Sequence, residues 1–392
     1  MILEELYLAD FKNYNNCSFS FSPKLNFIYG ENGNGKTNIL EAISLLCYTK
    51  SFLLNSESDC VRYGTDAFEI TGDFRNRVNS KSRVKVIYHK EESSKQVILD
   101  NDRVTRSNEF LGRFPLIVLS PYDLKLTMGT QQDRRRNFDL LISQVSRVYL
   151  SDLRKYSKII KQKNSLLKEN LAVKRYSLKE LKDLVSVWNT ELLDLAVKIM
   201  IRRMDFIEEF KLSINSCFNR IVGSKYIPVI SYQSEILDEN EITGYSIELL
   251  KSKLESSLEE KLDQEIKRGI LLAGPHRDNY LFSMNKQGEL FDMKTFASQG
   301  EHKTFVVALK LSEFGYINSN LDHTNSGEPV LLLDDVFSEL DKTRIARISE
   351  LITDFNQVFI TTTDIDHLEI LKKNFSETRS FNIVNGAVDN VN

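Results

Sequence analysis

Eight residues near the start of this 392-residue chain, Gly30-Glu-Asn-Gly-Asn-Gly-Lys-Thr37, leave it few ways to fold. Before them, Leu25-Asn-Phe-Ile-Tyr29 is an apolar run that reads as a strand ending at Gly30. After them, Ile39, Leu40, Ile43, Leu46 and Cys47 recur at helical spacing from Thr37 onward. Strand, loop and helix together fit G-x-x-x-x-G-K-[ST], whose glycines let backbone amides converge on a phosphate. The helix that follows adds about half a positive charge at its N-terminus, which favours an anion there. In this reading Lys36 reaches the β- and γ-phosphates of a nucleotide and the Thr37 hydroxyl joins the shell of a Mg²⁺ ion. The plain alternative is a turn rich in glycine and asparagine.

A second half-site lies three hundred residues away. Pro329-Val-Leu-Leu-Leu-Asp334 is a buried-strand pattern that ends in two carboxylates, Asp334 and Asp335. Asp334 at the strand's edge is placed to hold Mg²⁺ through water, and Asp335 to polarise an attacking water. Gln357-Val-Phe-Ile-Thr361 is another such strand, and Lys342 to Phe355 between them is apolar at helical spacing. Strand, helix, strand at this separation predicts a βαβ unit in a mostly parallel sheet. A third element is Ala297-Ser298-Gln-Gly300-Glu301 before a helical run from Phe305. As local structure, Ser298 is an N-cap and Glu301 completes a capping box. As chemistry, Ser298 and Gly300 open a helix whose amides could face a γ-phosphate.

Between these half-sites the pattern changes. Leu3–Leu8 reads as a short strand followed by a loop over 10–14, and Phe19 and Phe21 alternate with serines as in a half-buried strand. Residues 83–104 read as a β-hairpin and Pro115–Leu119 as a buried strand. From about 138 to 215 the apolar residues recur every three or four positions in two sets, Leu141 to Leu166 and Leu181 to Ile199. Two helices of some 28 residues would each run roughly 40 Å. They are expected to pair as an antiparallel arm joined near 171–178, with an ordinary helical bundle as the alternative. Beyond them, a strand over Tyr226–Ser231 and an acidic helix from about 246 are expected.

Charge and cysteine usage narrow the class. The chain has 52 basic and 55 acidic residues, a net of −3, so binding to nucleic acid needs a local patch. Residues 152–183 supply one, with ten Lys/Arg against four Asp/Glu. Arg154, Lys155, Lys158, Lys161 and Lys163 are the candidates there, against the reading of a solvated helix face. Arg134-Arg-Arg136, His276 and Arg277 read equally as phosphate contacts or as a structural cluster. Cys17, Cys47, Cys60 and Cys217 are scattered, with no C-x-x-C pair, which predicts neither a disulfide framework nor zinc and fits a reducing cytosol. Glu4 and Glu5 stand where a secretory leader would be basic. No apolar run approaches the ~18–20 residues of a membrane span. The expectation is a soluble, cytoplasmic chain of more than one domain.

The order of these elements resembles the ATP-binding-cassette heads of DNA-maintenance ATPases, the class that includes the SMC proteins. Within it the chain resembles the RecF family of recombination mediators. The similarity rests on Leu8-Ala-Asp-Phe-Lys-Asn-Tyr14, the 30–37 loop, Ser120-Pro-Tyr-Asp-Leu124, Arg134-Arg-Arg-Asn-Phe-Asp139 and Lys161-Gln-Lys-Asn164. It continues through Gly274-Pro-His-Arg-Asp278, Ser298-Gln-Gly300 and Leu331-Leu-Leu-Asp-Asp-Val-Phe-Ser-Glu-Leu-Asp341. The resemblance implies an α/β head, a mixed sheet flanked by helices, made from 1–140 and 268–392. Residues 141–267 would form an inserted, mostly helical arm or dimerisation domain.

The resemblance further implies ATP and Mg²⁺ as cofactors, with Gly30, Glu31, Asn32, Gly33, Asn34, Gly35, Lys36, Thr37, Ser298 and Gly300 holding nucleotide. Thr37 and Asp334 would take the metal, and Lys36, Asp335 and Ser298 would carry the chemistry. Ser298 would act across an ATP-dependent homodimer. The implied role is replication and recombinational repair after DNA damage, including the SOS response. The dimer would bind single- and double-stranded DNA at gaps or junctions and promote recombinase loading, with weak, DNA-stimulated ATP hydrolysis as the release step. RecR is the implied partner, with RecO and single-strand-binding protein as functional associates and the nucleoid as the place.

Three departures qualify the match. Asp335 stands where cassette ATPases usually carry Glu, Glu301 where the signature usually has Gln, and Asp364 where transporters carry a switch histidine. Asp364 could sense the γ-phosphate, and His367 reads as an ordinary surface residue. The alternatives are an SMC-like subunit of another DNA-maintenance complex, a transporter cassette, an ATPase-coupled nuclease and a clamp with a decayed site. The long insertion, the short C-terminal remainder and the intact Lys36, Thr37 and Asp334 speak against the last three in turn.

Overall fold

The computed structural model describes residues 1–53, 56–76, 78–105, 110–223, 226–238, 241–242, 244–321, 327–337 and 342–391. The expected Ser338–Asp341 loop lies outside them. The chain forms two compact units, one of Met1–Lys125, Ser213–Ile227 and Ser298–Asn392, the other of Leu126–Leu212 and Pro228–Ala297. These borders differ from the expected 1–140, 141–267 and 268–392. Phe138 explains the first shift, because its ring packs against Phe206, Phe210, Tyr280 and Phe282 of the second unit. Residues 213–227 belong to the first unit for similar reasons. Phe218 packs on Phe305, Arg347 donates to the Ile221 carbonyl, and Arg220 pairs with Asp354.

The strands are β1 (Ile2–Phe11), β2 (Tyr14–Ser20), β3 (Leu25–Tyr29), β4 (Ala67–Arg75), β5 (Lys81–His89), β6 (Ser94–Leu99), β7 (Asp102–Arg103) and β8 (Leu116–Leu119). They continue as β9 (Ile227–Gln233), β10 (Asn279–Lys286), β11 (Glu289–Asp292), β12 (Val330–Asp334), β13 (Gln357–Thr362), β14 (Thr378–Val384) and β15 (Ala387–Val391). In the first unit an antiparallel sheet runs β2-β1-β4-β5-β6-β7, so the expected hairpin over 83–104 is part of a larger meander. The second sheet runs β15-β14-β3-β13-β12-β8 and is parallel from β14 to β8. The βαβ expectation holds: β12 and β13 pair in parallel and the helix Lys342–Ile352 connects them. Strand order puts the ends of β3, β13 and β12 side by side although β3 lies more than three hundred residues before the other two in the chain.

The helix Lys36–Tyr48 lies between the two sheets, against β4 and β5 on one side and β8, β12 and β13 on the other. Residues 39–47 are buried without exception, the state of a helix apolar nearly all round. Its one buried acid, Glu41, pairs with Lys12 at 3.4 Å and accepts a hydrogen bond from Ser51 Oγ at 2.5 Å. Aromatic rings join the sheets at another place, with Phe21 edge-on to Phe359 and Phe19 edge-on to Phe381.

In the second unit the helices Gln131–Val145, Arg147–Val173, Leu178–Ser186, Asn189–Val222 as far as Leu212, and Ile247–Arg268 accompany the sheet β11-β10-β9. The second expected helix is broken at residues 187–188 into Leu178–Ser186 and Asn189–Val222. Arg147–Val173 and Asn189–Val222 run antiparallel as expected, Lys163 donating to Asn189 and Arg203 to Tyr149. Arg147–Val173 packs on Ile247–Arg268, and Leu181 and Val185 of the short helix close on Leu167. The insertion is thus a helical arm, with a short third helix and Ile247–Arg268 packed on it.

A buried polar network ties these helices to the segment 271–279. Arg203, 2% exposed, donates to both carboxylate oxygens of Asp139 and to the Pro275 carbonyl. Tyr149 donates to Asp139, Tyr232 to Asp278, Arg134 to Asn279, and Arg135 to the Asp278 carbonyl. Tyr156 shares a hydrogen bond with His276, and Asn164 Oδ1 accepts from the Leu271 amide. Burial pushes the Asp278 carboxyl up to about 6 against the pull of Arg203, and pushes the His276 imidazole down to about 4. Removing one partner of a buried pair strands the other charge. Arg203→Met is therefore expected to lower stability by about 3–5 kcal/mol. Chemical denaturation checks this, and an unchanged midpoint would mean that the network contributes nothing to stability.

Candidate nucleotide-binding site

The 30–37 loop leaves β3 and enters the buried helix as the spacing predicts, and its shape is fixed from behind. Gly30 and Gly35 have φ of +146° and +104°. A Cβ on Gly30 would collide with the Ile383 carbonyl, and one on Gly35 with the Asn13 side chain, so both positions need glycine. Asn13 Nδ2 donates to the Asn34 carbonyl at 2.9 Å, Asn38 Nδ2 donates to Asn13 Oδ1, and the Tyr14 hydroxyl donates to the Gly35 carbonyl. The function of Asn13 and Tyr14 escaped the sequence reading. Their signal was position alone, in a motif with no chemistry of its own.

The strand ends bring Lys36, Thr37, Asp334, Asp335 and Thr361 together. Asp334 Oδ1 accepts from Thr37 Oγ1 at 2.8 Å and from Thr361 Oγ1 at 2.6 Å. The Lys36 amine donates to the carbonyls of Gly30 and Glu31 at 2.8 and 2.9 Å. Burial pulls the Lys36 pKa down, while Asp335 and then Asp334 push it back up. Burial raises the Asp334 carboxyl, and its two hydroxyl donors resist that rise. Asp335 sits in the left-handed region at φ +47°, a strained place for a side chain, with its amide donated to the Thr361 carbonyl and hydroxyl. Thr361 is the residue that sequence reasoning missed here, since a threonine at the end of an apolar strand carries no motif. A hydroxyl and a carboxylate oxygen in contact are the hard oxygen donors that suit Mg²⁺.

The other expected residues lie elsewhere. Ser298 and Glu301 form the expected capping box of the helix Gln299–Asn320, in which the Ser298 hydroxyl bonds Glu301. Gly300 is in the first turn of that helix. Asp364 is 3.6 Å from His367 and accepts from the Asp366 amide. His367 is not an ordinary surface residue, because its side chain is 13% exposed and its ring neighbours Phe337.

On Arg147–Val173, Arg154, Lys155, Lys158 and Lys161 are exposed. Arg154, Lys158 and Lys161 share one face with exposed Arg147 and Lys168, a basic stripe about 30 Å long at 1.5 Å per residue. Lys163 is corrected. It is 1% exposed and donates to Asn189 Oδ1, because it occupies the core position between Ile159 and Leu167. Arg134 and Arg135 are likewise structural, bound into the polar network, while Arg136 is exposed.

The model of the RecF/RecN/SMC N-terminal domain matches residues 2–382. The DNA replication and repair protein RecF of Chloroherpeton thalassium is 36% identical over 386 residues, 98% of each chain. This chain belongs to the RecF family. A solved structure of the recombination mediator protein RecF with ATP, from the RecFOR pathway, matches with a TM-score of 0.84 at 28% identity, covering 99% of this chain and 98% of that one. An Smc head bound to the C-winged helix domain of ScpA matches with a TM-score of 0.58 at 15% identity, covering 100% and 97%, which speaks for fold alone. The fold is that of an ATP-binding-cassette-type head with a mostly helical insertion. The motifs shared with the RecF family now have physical places: 8–14 and 30–37 build the loop, and 134–139, 161–164 and 274–278 meet in the polar network. Among the described residues no helix is long and apolar enough to cross a membrane.

Lys36 is the one cation of the loop motif. Lys36→Ala should abolish binding of labelled ATP while leaving the nucleotide-free melting temperature close to that of the parent protein. Binding at unchanged affinity would remove the phosphate-loop assignment.

Proposed function

We propose that this chain is an ATP-dependent DNA-binding protein of replication and recombinational repair. The observation that carries the reading is the junction of Lys36, Thr37, Asp334 and Thr361 at adjacent strand ends, in a chain that matches RecF proteins along almost its whole length. The loop residues Gly30, Glu31, Asn32, Gly33, Asn34 and Gly35 would cradle the phosphates of ATP with their amides, and Lys36 would neutralise the β- and γ-groups. Thr37 and Asp334 would hold Mg²⁺, which when bound offsets charge on the phosphoryl oxygens. Asp335 would orient the attacking water. Its side chain is one methylene shorter than Glu, which supports slow hydrolysis.

Ser298 and Gly300 would complete the site of a second copy, so that ATP closes a homodimer and hydrolysis opens it. The dimer would grip DNA through phosphate contacts from Arg154, Lys155, Lys158 and Lys161, without reading bases, and DNA would stimulate turnover. It would act at gaps or junctions to promote recombinase loading, with RecR as partner, RecO and single-strand-binding protein as associates, and the nucleoid as its location. That a similar RecF structure comes from the RecFOR pathway supports partners in recombination mediation.

Asp335→Asn is expected to keep ATP and Mg²⁺ but stall turnover, giving a long-lived ATP-bound dimer by sedimentation. If nucleotide binding is lost instead, the two carboxylates have been given the wrong roles. Ser298→Arg tests the shared site directly. The loss of the cap costs only about 1 kcal/mol, so the fold should persist. ATP binding to the monomer should remain, while ATP-driven dimerisation disappears and DNA affinity falls. In the parent protein DNA affinity should drop steeply with added salt and depend little on sequence. A Ser298→Arg dimer that still forms with ATP would return Ser298 to the role of a helix cap.

A further inference from the structure

The C-terminal hairpin β14–β15 supplies no group that would face a phosphate, yet it touches the phosphate loop. β14 pairs in parallel with β3, Phe381 opposite Ile28 and Asn382 opposite Tyr29, so the next pair in register is Ile383 and Gly30. The Asn34 side-chain amide donates to the Ile383 carbonyl at 3.0 Å. The Asn34 carbonyl accepts from the Gly386 amide at 3.1 Å and from Asn13 Nδ2 at 2.9 Å. Gly386 has φ of +74°, and a Cβ there would strike the Asn13 carbonyl oxygen. Asn34 is thus held by three hydrogen bonds from two turns that lie at opposite ends of the sequence.

We propose that the turn of the C-terminal hairpin positions the phosphate loop for nucleotide, with Gly386 and the Ile383 carbonyl as positioning groups that act through Asn34. Residues 31–35 belong to no helix or strand that would set their shape, and the amides that face an anion are worth most when their direction is fixed before it arrives. The 383–386 turn and Asn13 fix that direction through their hydrogen bonds to Asn34. The inference rests on the reading of 30–37 as a nucleotide loop, and it separates from that reading by experiment. Lys36→Ala tests the loop itself, whereas substitutions at 386 leave every phosphate-facing group in place.

Isothermal titration of ATP into Gly386→Ala, Asn34→Ala and the double variant tests the proposal, with melting temperatures measured in the absence of nucleotide. Each single variant should weaken ATP binding about tenfold, the scale of one positioned hydrogen bond. The double variant should lose less than the product of the two single losses, because both substitutions loosen the same residue, one at its side chain and the other at its carbonyl. Melting without ATP should stay near that of the parent protein. Parent-like ATP affinity in Gly386→Ala overturns the proposal. So do single losses that multiply in the double variant, or weakened binding that merely follows a lowered melting temperature. Should Gly386→Ala fail to fold, Asn13→Ala paired with Asn34→Ala provides the same cycle through the other turn, with the same outcomes deciding.

Discussion

The helix Lys36–Tyr48 has almost no face left for water, and most of the first unit follows from that. A helix apolar nearly all round must be covered on both sides, and two sheets supply the cover. The antiparallel sheet takes one side and the parallel sheet the other, which commits β4, β5, β8, β12 and β13 at once. Its N-terminus is then held where β3 ends. The cost is a buried acid, Glu41, and the structure meets it with Lys12, Ser51 and the Cys60 thiol. Lys12 belongs to the same turn as Asn13 and Tyr14, so the groups that neutralise the helix and those that shape the loop come from one short segment.

Polar groups elsewhere are buried for a different reason. In the second unit Arg203, Asp139, Tyr149, Arg135, Tyr232 and Asp278 satisfy one another in a region with little water. Replacing such a network by apolar side chains often costs nothing in stability, so its value lies in fixing one arrangement of helices against the 271–279 segment. Every helix of the unit named above except Leu178–Ser186 contributes a side chain to it: Asp139, Tyr156, Asn189 through Lys163, and Glu265 through the Leu272 amide. The motif residues 134–139, 161–164 and 274–278 are accounted for by this architecture.

At the site, strand order does what sequence distance cannot. β13 lies between β3 and β12, so Thr361 links the two half-sites through Asp334 and holds the Asp335 backbone in its left-handed turn. The result is a compact junction of one ammonium, two hydroxyls and two carboxylates. The ammonium offsets one of the two carboxylate charges, and the hydroxyls of Thr37 and Thr361 stabilise Asp334.

The sequence alone determined the phosphate loop, the Asp-Asp strand, the capped Ser298 helix and the alternation of α/β and helical regions. These are local patterns, written in residues a few positions apart, and they survive without knowledge of partners. It also carried enough matching motifs to suggest the family. It did not determine which Lys on the helix Arg147–Val173 faces water. Lys163 and Lys161 differ only in which side of a 3.6-residue turn they occupy once neighbouring helices have packed. The roles of Asn13, Thr361, Ile383 and Gly386 were likewise invisible, since each acts through a neighbour tens to hundreds of residues away or through a backbone atom that every residue shares. The borders of the two units depended on where Phe138 and Phe218 found partners. Hydrophobic spacing says that a residue is buried; only the tertiary structure decides against what.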